Sequence, residues 1–260
     1  MHNILKAIIE KKQEEIELHK SMFPIAHLLD PVFLNRVSIS MKDSIISSDH
    51  GIIAEFKRKS PSKGWIQKGA QLTHVVDLYT QANVAGISIL TDQPFFGGHL
   101  NDLKEARVST TKPLLRKDFI IDEYQILQAK AFGADCVLLI AAALPTKRVI
   151  ELTHFAHEYG LEVLLEIHEE SELDSLVAQP DIIGVNNRNL STFETSIDRS
   201  FELIELIPKD QIVISESGIG SVDDMQKLRQ VGFNGFLIGE SFMREKDPDL
   251  KLSAFTGQNC

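Results

Sequence analysis

An acid and a base stand two residues apart at the end of a short apolar segment, as Glu55 and Lys57. If 53–57 is a β-strand, its period of two puts both charges on one face and Ala54 and Phe56 on the other. Burial of such groups is unfavourable unless they are paired. The pair is therefore either a functional feature at the end of a buried strand or one face of a solvated edge strand.

Lys117 and Glu166 also close apolar runs, at 114–116 and 163–165. A lysine in a cavity can have its pKa lowered by burial, which suits proton donation or Schiff-base chemistry. The alternative for Lys117 is a surface side chain whose aliphatic stem lies on apolar neighbours. Glu166 is a candidate general base, and neighbouring groups would shift its pKa in either direction. The alternative is that Glu166 is the partner of Lys117 in a structural ion pair.

Three further side chains have the chemistry of substrate contacts. Asn186 and Arg188 follow the apolar run 182–185, where an amide and a guanidinium would orient a hydroxyl or a carboxylate. Asparagine also favours turns, so this segment could simply satisfy its own backbone. Phe96 precedes two glycines and would either cover an aromatic substrate or anchor a loop.

Two glycine-containing segments, 215–220 and 237–241, follow the last two apolar runs. Gly218 and Gly239 permit close approach of a ligand to the backbone. Successive loops of this kind often bind phosphate through backbone N–H groups, and Ser60 would add a hydroxyl. The alternative is a pair of ordinary tight turns.

Behind these residues lies a regular alternation of apolar β-branched runs and helical periodicity. It indicates βαβ units and a parallel sheet. The predicted strands are 52–56, 86–90, 113–116, 135–140, 162–165, 182–185, 212–215 and 235–238. The predicted helices between them are 72–81, 101–108, 123–131, 146–159, 171–177, 199–207 and 222–230.

Eight such strands close an α/β fold of the (β/α)8 TIM-barrel type. The alternative, an open doubly wound sheet, would want a glycine-rich turn after its first strand, but 58–62 reads Arg-Lys-Ser-Pro-Ser. Polar residues follow most of the apolar runs, and in a barrel these strand ends all face one mouth. We therefore predict that the candidate residues meet at the carboxyl-terminal mouth of a barrel.

The first 48 residues precede the alternating pattern. Segment 3–20 has the apolar stripe of an amphipathic helix, and 21–45 is broken by Pro24 and Pro31 into short helical pieces. This segment is too short to bury its own core. We expect one barrel domain over 1–260 in which 1–48 is a helical extension packed on the barrel.

The net charge of −10 argues against a sequence-independent grip on nucleic acid or on an anionic membrane. Cys136 and Cys260 make no disulfide framework, and 1–20 lacks the apolar segment of a signal peptide, so we expect a cytoplasmic protein. No cluster of Cys and His has the spacing of a metal site, so we predict no bound metal.

Taken together, these motifs resemble the indole-3-glycerol phosphate synthase family of tryptophan biosynthesis. Eight segments match in order and spacing: 53–62, 96–98, 115–119, 137–144, 165–167, 184–190, 215–219 and 237–243. The resemblance extends over nearly the whole chain. It implies a (β/α)8 barrel without metal or organic cofactor that converts 1-(2-carboxyphenylamino)-1-deoxyribulose 5-phosphate to indole-3-glycerol phosphate, with loss of CO2 and water.

The resemblance also implies catalytic roles. Lys117 resembles the general acid that protonates the ketone oxygen during ring closure, and Lys57 resembles the lysine that meets the substrate carboxylate and acts in the dehydration. Glu166 resembles a general base, and Glu55 a residue that assists or orients it. Asn186 resembles a group that holds a substrate hydroxyl.

For substrate binding, the resemblance implies that Arg188 holds the carboxylate and that Glu216 and Ser217 line the mouth. Phe96 and Leu190 resemble the pocket for the anthranilate ring.

The implied phosphate site comprises Ser60, Gly218, Gly239 and Glu240. Relatives commonly carry a small hydroxyl residue where this chain has Glu240. If only its backbone contacts phosphate, the acid is harmless; if its side chain points inward, repulsion weakens substrate binding. From the sequence we expect Glu240→Ser to change KM by no more than a few fold.

Two alternatives remain open at this level. Another phosphate-binding barrel of the same pathway, such as a phosphoribosylanthranilate isomerase, would not need both Lys57 and Lys117. A barrel that binds a sugar phosphate without turnover would not need every catalytic position filled. We expect a small phosphosugar as the ligand, no nucleic-acid or membrane partner, and a monomer that associates weakly with other pathway enzymes.

Overall fold

Eight parallel strands form a closed barrel in the computed structural model, which describes residues 3–25, 35–190, 192–244 and 248–257. The strands follow one another around the barrel in chain order, and the first pairs with the last. Their bounds are Ile52–Phe56 (β1), Gly86–Leu90 (β2), Leu114–Lys117 (β3), Cys136–Ile140 (β4), Glu162–Ile167 (β5), Ile182–Asn186 (β6), Val213–Glu216 (β7) and Gly235–Ile238 (β8). The barrel prediction is confirmed, and the open doubly wound sheet is wrong.

Helices follow the strands on the outside of the barrel. The α-helices are Asn3–Met22 (α1), Met41–Ser47 (α2), Leu72–Gln81, Gln93–Phe96, Leu100–Ser109, Glu123–Ala131, Thr146–Glu158, Asp198–Ile204, Val222–Gln230, Glu240–Met243 and Pro248–Thr256. Two 3-10 segments are Ala141–Ala143 and Glu170–Ala178, and a hairpin of two-residue strands, Lys59–Ser60 with Gly64–Trp65, follows β1. The helix predicted over 171–177 is the second 3-10 segment, which ends with Gln179 in a left-handed conformation just before Pro180.

Alternation along the strands divides the apolar interior into two clusters. In β1, Ile53 belongs to the cluster inside the barrel, whereas Ile52, Ala54 and Phe56 belong to the cluster between the sheet and the outer helices. The same parity recurs around the barrel, where Leu115, Leu138, Leu164, Ile214 and Leu237 point inward. Glu55 therefore continues the inward-facing row of its strand, as its spacing predicts.

Four strands run one or more residues beyond their predicted ends. Lys117, Glu166, Asn186 and Glu216 lie within the ladder: Lys117 pairs with Leu90 and Asn186 with Glu216. The apolar run ends earlier than the strand because ladder hydrogen bonds use the main chain and do not require apolar side chains. These candidate side chains consequently project from positions within the sheet.

Two helices of the amino-terminal extension pack against the ends of the barrel. Met41 and Ile45 of α2 close the amino-terminal end, where the Glu162 carboxylate accepts hydrogen bonds from the first turn of the helix. Leu5 and Ile9 of α1 join the inner apolar cluster from the opposite end. Of the segment 21–45, for which short helical pieces are predicted, residues 26–34 lie outside the described residues, and α2 begins at Met41.

A buried lysine fixes α1 to the barrel. Lys12 is 1% exposed, and its Nζ lies 3.0 Å from a carboxylate oxygen of Asp92 and 3.0 Å from one of Asp118. Arg116 and Thr91 contact the second oxygen of Asp118. Burial lowers the pKa of Lys12, but the carboxylates more than offset that effect and raise it, so the group is an ammonium. A fully paired buried charge of this kind sets one orientation of the helix.

Candidate active site

A cavity of about 370 Å³ opens at the carboxyl-terminal end of the barrel. Its walls come from the ends of all eight strands, the loops that follow them, and α1. Every predicted site residue except Ser60 lines it: Glu55, Lys57, Phe96, Lys117, Glu166, Asn186, Arg188, Leu190, Glu216, Ser217, Gly218, Gly239 and Glu240. The fold thus brings together residues separated by up to 185 positions, from 55 to 240.

Ser60 is not among the residues that line the cavity. Its side chain is buried, and its hydroxyl has no hydrogen-bond partner among the described residues. Its loop neighbours Pro61 and Lys63 line the cavity instead. Lys63 is a cavity residue that sequence reasoning missed, since a lysine in a polar loop gives no distinguishing signal.

Lys117 lies at the centre of a carboxylate cluster. Its Nζ is 2.7 Å from Glu166 Oε2 and 3.2 Å from Glu216 Oε2. The three side chains extend from β3, β5 and β7, and all are buried or nearly so. An ammonium between two carboxylates at hydrogen-bond distance can pass protons to or from a bound substrate.

Electrostatics set the charge states of this cluster. Burial lowers the pKa of Lys117, but the charges of Glu166, Glu216 and Glu55 outweigh burial and raise it. The net pKa of this lysine is therefore raised, opposite to the lowered pKa considered from the sequence. Burial raises the pKa of Glu166, but Lys117 and His168 outweigh it and hold it well below the usual range. Lys117 is thus an ammonium and Glu166 a carboxylate at neutral pH.

Glu216 differs from Glu166 although both contact the same lysine. Burial raises the pKa of Glu216, and the neighbouring charge of Glu166 raises it further. These effects outweigh the attraction of Lys117, so the pKa is about 7. Its Oε1 has no hydrogen-bond partner among the described residues. A Cβ at position 184 would collide with that oxygen, so Gly184 leaves the space that the carboxyl group fills. Glu216 can therefore gain or lose a proton near neutral pH.

His168 is a second residue that sequence reasoning missed. Its Nε2 lies 3.1 Å from Glu166 Oε1 and its Nδ1 3.4 Å from Glu172 Oε2. Burial lowers its pKa, but the two carboxylates outweigh burial and raise it to about 9. An imidazolium thus faces the Glu166 oxygen that is not bonded to Lys117. The signal was weak, because a histidine two residues after a candidate base is equally compatible with an exposed strand end.

Glu55 and Lys57, at the end of β1, form another part of the cavity wall. Lys57 Nζ lies 2.6 Å from Glu55 Oε1. Glu55 also borders Gly239, where an added Cβ would come within 2.5 Å of Glu55 Oε1. The solvated edge strand is wrong, because β1 is paired on both sides and Glu55 is 5% exposed.

Part of the cavity wall is apolar. Phe96 packs on Phe119 with ring centroids 6.0 Å apart, and Leu190 and Phe193 line the same region. From above, α1 contributes Ile4, Leu5 and Ile8, all members of the stripe that predicted its helix. The amino-terminal extension therefore supplies part of the wall as well as a cap.

The loop after β7 has an unusual backbone. Ser217 and Gly218 both have positive φ, 65° and 76°, and Ser217 is one of few non-glycine residues with this conformation. Asn187 holds the loop by donating from Nδ2 to the Ser217 carbonyl at 3.0 Å. At Gly218 an added Cβ would approach Thr195 Cγ2 to 2.6 Å. Only glycine fits at this position, and a backbone without a side chain allows a ligand to approach closely.

Glu240 points its side chain toward the cavity. Its carboxylate contacts Lys63, lies 3.3 Å from Arg188 Nη2 and lies 3.0 Å from Arg244 Nη2. The harmless geometry considered from the sequence, with the acid pointing away, is not the one adopted.

Within the described ranges, no group of three or more His, Cys, Asp or Glu side chains is arranged to hold a metal ion. None of the helices in those same ranges is long and apolar enough to cross a membrane.

The fold and the cavity define a (β/α)8 barrel with a buried cluster of lysine and glutamate side chains in a cavity at its carboxyl-terminal end. A sequence model of indole-3-glycerol phosphate synthase matches residues 5–255, and the chain belongs to that family of lyases. The indole-3-glycerol phosphate synthase of Bacteroides thetaiotaomicron is 50% identical over 255 residues, which cover 98% of both chains.

Among solved structures, 3-hexulose-6-phosphate synthase from Salmonella typhimurium superimposes with a TM-score of 0.64 at 15% identity and covers 79% of this chain and 96% of its own. A variant tryptophan synthase alpha-subunit from Pyrococcus furiosus gives a TM-score of 0.60 at 16% identity and covers 80% and 98%. At these identities the likeness concerns the barrel fold alone.

Proposed function

We propose that the protein is a carboxy-lyase that converts 1-(2-carboxyphenylamino)-1-deoxyribulose 5-phosphate to indole-3-glycerol phosphate, CO2 and water. Family membership and the Lys117 ammonium held between two carboxylates support this reaction. The conversion is redox-neutral, so its steps are carbon–carbon bond formation, decarboxylation and dehydration. Each of these needs charge stabilisation or proton transfer, which are properties of lysine and glutamate side chains.

Ring closure is assigned to Lys117. The aromatic carbon that bears the carboxylate attacks the ketone carbon C2, and negative charge develops on the ketone oxygen. An ammonium donor beside that oxygen lowers the barrier and delivers the proton. The raised pKa of Lys117 keeps the donor charged before the step, and Glu216 can replace the proton afterwards because its own pKa lies near 7.

The later steps are assigned to the carboxylates and the second lysine. CO2 leaves from the carbon that attacked, which restores the ring electrons. In the dehydration, Lys57 protonates the departing hydroxyl, after having paired with the substrate carboxylate. Glu166, a carboxylate with a lowered pKa, takes a proton from the substrate as the double bond forms, and Glu55 orients Lys57 at 2.6 Å.

Substrate binding divides the cavity into three regions. The apolar region with Phe96 and Leu190 is assigned to the anthranilate ring, extended by Phe119 and Phe193. Asn186 and Arg188 are assigned to hydroxyl and carboxylate, and Ser217 to the sugar side of the mouth. The phosphate site is assigned to Ser60, Gly218, Gly239 and Glu240, and phosphate binding then contributes energy remote from the reacting carbons.

The test is a fluorescence assay for indole-3-glycerol phosphate formed from the carboxyphenylamino substrate, with EDTA present and no metal added. Turnover under these conditions supports both the reaction and its independence from metal. Tight substrate binding without turnover would favour the barrel that binds a sugar phosphate passively. If the protein neither binds nor converts the substrate, the assignment moves to other phosphosugar substrates, beginning with isomerase substrates.

A further inference from the structure

A single carboxylate connects three cations around the cavity. Glu240 Oε1 contacts Lys63 Nζ and lies 3.0 Å from Arg244 Nη2, and Oε2 lies 3.3 Å from Arg188 Nη2. The cations come from different segments: Lys63 from the loop after β1, Arg188 from the loop after β6, and Arg244 from just beyond the short helix that begins at Glu240.

The charges of this cluster are unequal. Three cations surround one anion, and burial, which raises the pKa of Glu240, is outweighed by Lys63, Arg244 and Arg188, which lower it. The carboxylate is therefore ionised at neutral pH and still leaves an excess of positive charge. Such an excess at the wall of a cavity attracts a further anion.

One of these cations also has unused hydrogen-bonding capacity. Arg188 Nε is buried and has no hydrogen-bond partner among the described residues. Lys63, Arg188 and Glu240 all line the cavity, next to Gly218 and Gly239. An anion that entered between these glycines would meet the two cavity-lining cations and the Glu240 carboxylate together.

We propose that Glu240 is a specificity-determining residue whose carboxylate is a resident counter-anion, which Lys63 exchanges for the phosphate of the substrate. In the empty enzyme this carboxylate ties the loop after β1 to the start of the helix after β8. When phosphate enters, Lys63 moves to it, and Glu240 keeps its contact with Arg244, four residues along the same segment. The inference rests on the phosphosugar substrate proposed above.

The exchange selects for charge. A phosphate dianion attracts Lys63 more strongly than a carboxylate does, so it displaces Glu240, whereas a neutral or singly charged group gains too little to do so. The resident acid thus weakens all anion binding and weakens it most for ligands of low charge. A small hydroxyl residue at this position would bind more tightly and discriminate less.

Glu240→Gln tests the exchange because it removes the charge and keeps the length of the side chain. The probe is inorganic phosphate, titrated by calorimetry, so that turnover is not needed. We expect phosphate to bind about tenfold more tightly to this variant, the effect of removing one nearby negative charge from a partly buried site. Glu170→Gln makes the same charge change on an exposed residue at the same end of the barrel and should leave phosphate affinity unchanged.

A second variant tests the assignment of the exchanged cation. In a Lys63→Met background, the gain from Glu240→Gln should shrink to about twofold or less, because the cation that both anions share is gone. Unfolding midpoints of the wild type, Glu240→Gln, Lys63→Met and the double variant verify that each of these four proteins is folded. If a variant unfolds, Glu240→Ser replaces Glu240→Gln in the same cycle.

Unchanged or weaker phosphate binding by Glu240→Gln would overturn the proposal and make Glu240 a residue that positions the cations. Failure of all variants to bind phosphate would overturn it too. Failure of the proposed function looks different: the wild type would not form indole-3-glycerol phosphate, whatever the phosphate titrations give. In the substrate assay, we expect the KM of Glu240→Gln to fall by the same factor as the phosphate dissociation constant. This fall is larger than the few-fold change in KM expected from the sequence for Glu240→Ser.

Discussion

Burial lowers the pKa of Lys117 and the neighbouring carboxylates raise it, and the sequence revealed only the effect of burial. The residue type and its position at a strand end predicted an interior lysine, which is correct. The direction of the pKa shift depends on Glu166 and Glu216, which are 49 and 99 residues away along the chain. Individual side chains could be nominated from their strand ends, but their charge states required the three-dimensional cluster.

Removal of the ammonium should stop ring closure. For Lys117→Ala we expect turnover to fall by about 10³-fold or more, because a positioned acid that also offsets developing charge is lost. Inorganic phosphate binding should be nearly unchanged, since the phosphate region is formed by other loops. Stopped-flow fluorescence and phosphate titration measure the two properties separately. Turnover near that of the wild type would remove Lys117 from its role as the acid.

The imidazolium of His168 predicts a defined pH dependence of stability. Its folded pKa is about 9 against an ordinary value of 6.5, so the folded state binds the proton more tightly than the unfolded state does. The resulting stabilisation is complete below pH 6.5 and is lost as pH rises through 9. It amounts to about 3 kcal/mol at most, because each pKa unit corresponds to about 1.4 kcal/mol.

His168→Gln should therefore be less stable than the wild type at pH 6 and nearly as stable at pH 10. Urea unfolding at a series of pH values measures the difference, and His154→Gln, on an exposed helical residue, is the matched control. A stability difference that is independent of pH would mean that His168 acts by packing alone. At pH 7 the variant should also show a lower kcat with little change in KM, since Glu166 loses the group that faces its second oxygen.

At the scale of elements, α1 illustrates what patterns can predict. Its apolar stripe predicted an amphipathic helix, and the described helix extends two residues further than predicted, to Met22. The sequence could not distinguish Lys11 from Lys12, which are adjacent and chemically identical. Only packing separates them: Lys12 is buried against Asp92 and Asp118, whereas Lys11 is exposed beside Glu14.

Lys12→Met should uncouple α1 from the barrel. It leaves Asp92 and Asp118 buried with one cation fewer, a change that costs about 3–5 kcal/mol when one partner of a buried ion pair is removed. Urea unfolding gives the change in the free energy of unfolding, and the substrate assay should show a raised KM because Ile4 and Ile8 line the cavity. Lys11→Met on the exposed face should leave both properties unchanged. Equal effects from the two substitutions would contradict the anchoring role of Lys12.

The barrel as a whole was predictable because its signal repeats. Eight apolar runs at βαβ spacing, each with side chains alternating between two clusters, agree with one another, and errors of one or two residues at strand ends do not alter the topology. The loops carry no such repetition. Lys63, Phe193 and His168 were missed because their contacts are set by loop paths that each occur once.

Closure of the barrel depends on a backbone contact between its first and last strands. The carbonyl of Gly51 accepts a hydrogen bond from the amide of Phe236 at 3.0 Å, and Gly235 lies against that carbonyl. A Cβ at position 235 would come within 2.5 Å of the Gly51 oxygen, which cannot move aside without separating β1 from β8. These two strands lead to adjacent parts of the cavity wall, one carrying Glu55 and Lys57 and the other Gly239.

Gly235→Ala should therefore damage stability and catalysis together. Overpacking against backbone costs about 1–3 kcal/mol in the free energy of unfolding. Displacement of β1 against β8 by a fraction of an ångström should lower kcat/KM about tenfold, since Lys57 and the phosphate region would no longer keep their spacing. Gly69→Ala is the matched control, because no heavy atom lies within 4 Å of an added Cβ there. A Gly235→Ala variant that is less stable but has an unaltered kcat/KM would contradict this prediction. It would mean that the spacing between β1 and β8 does not control the alignment of Lys57 with the phosphate region.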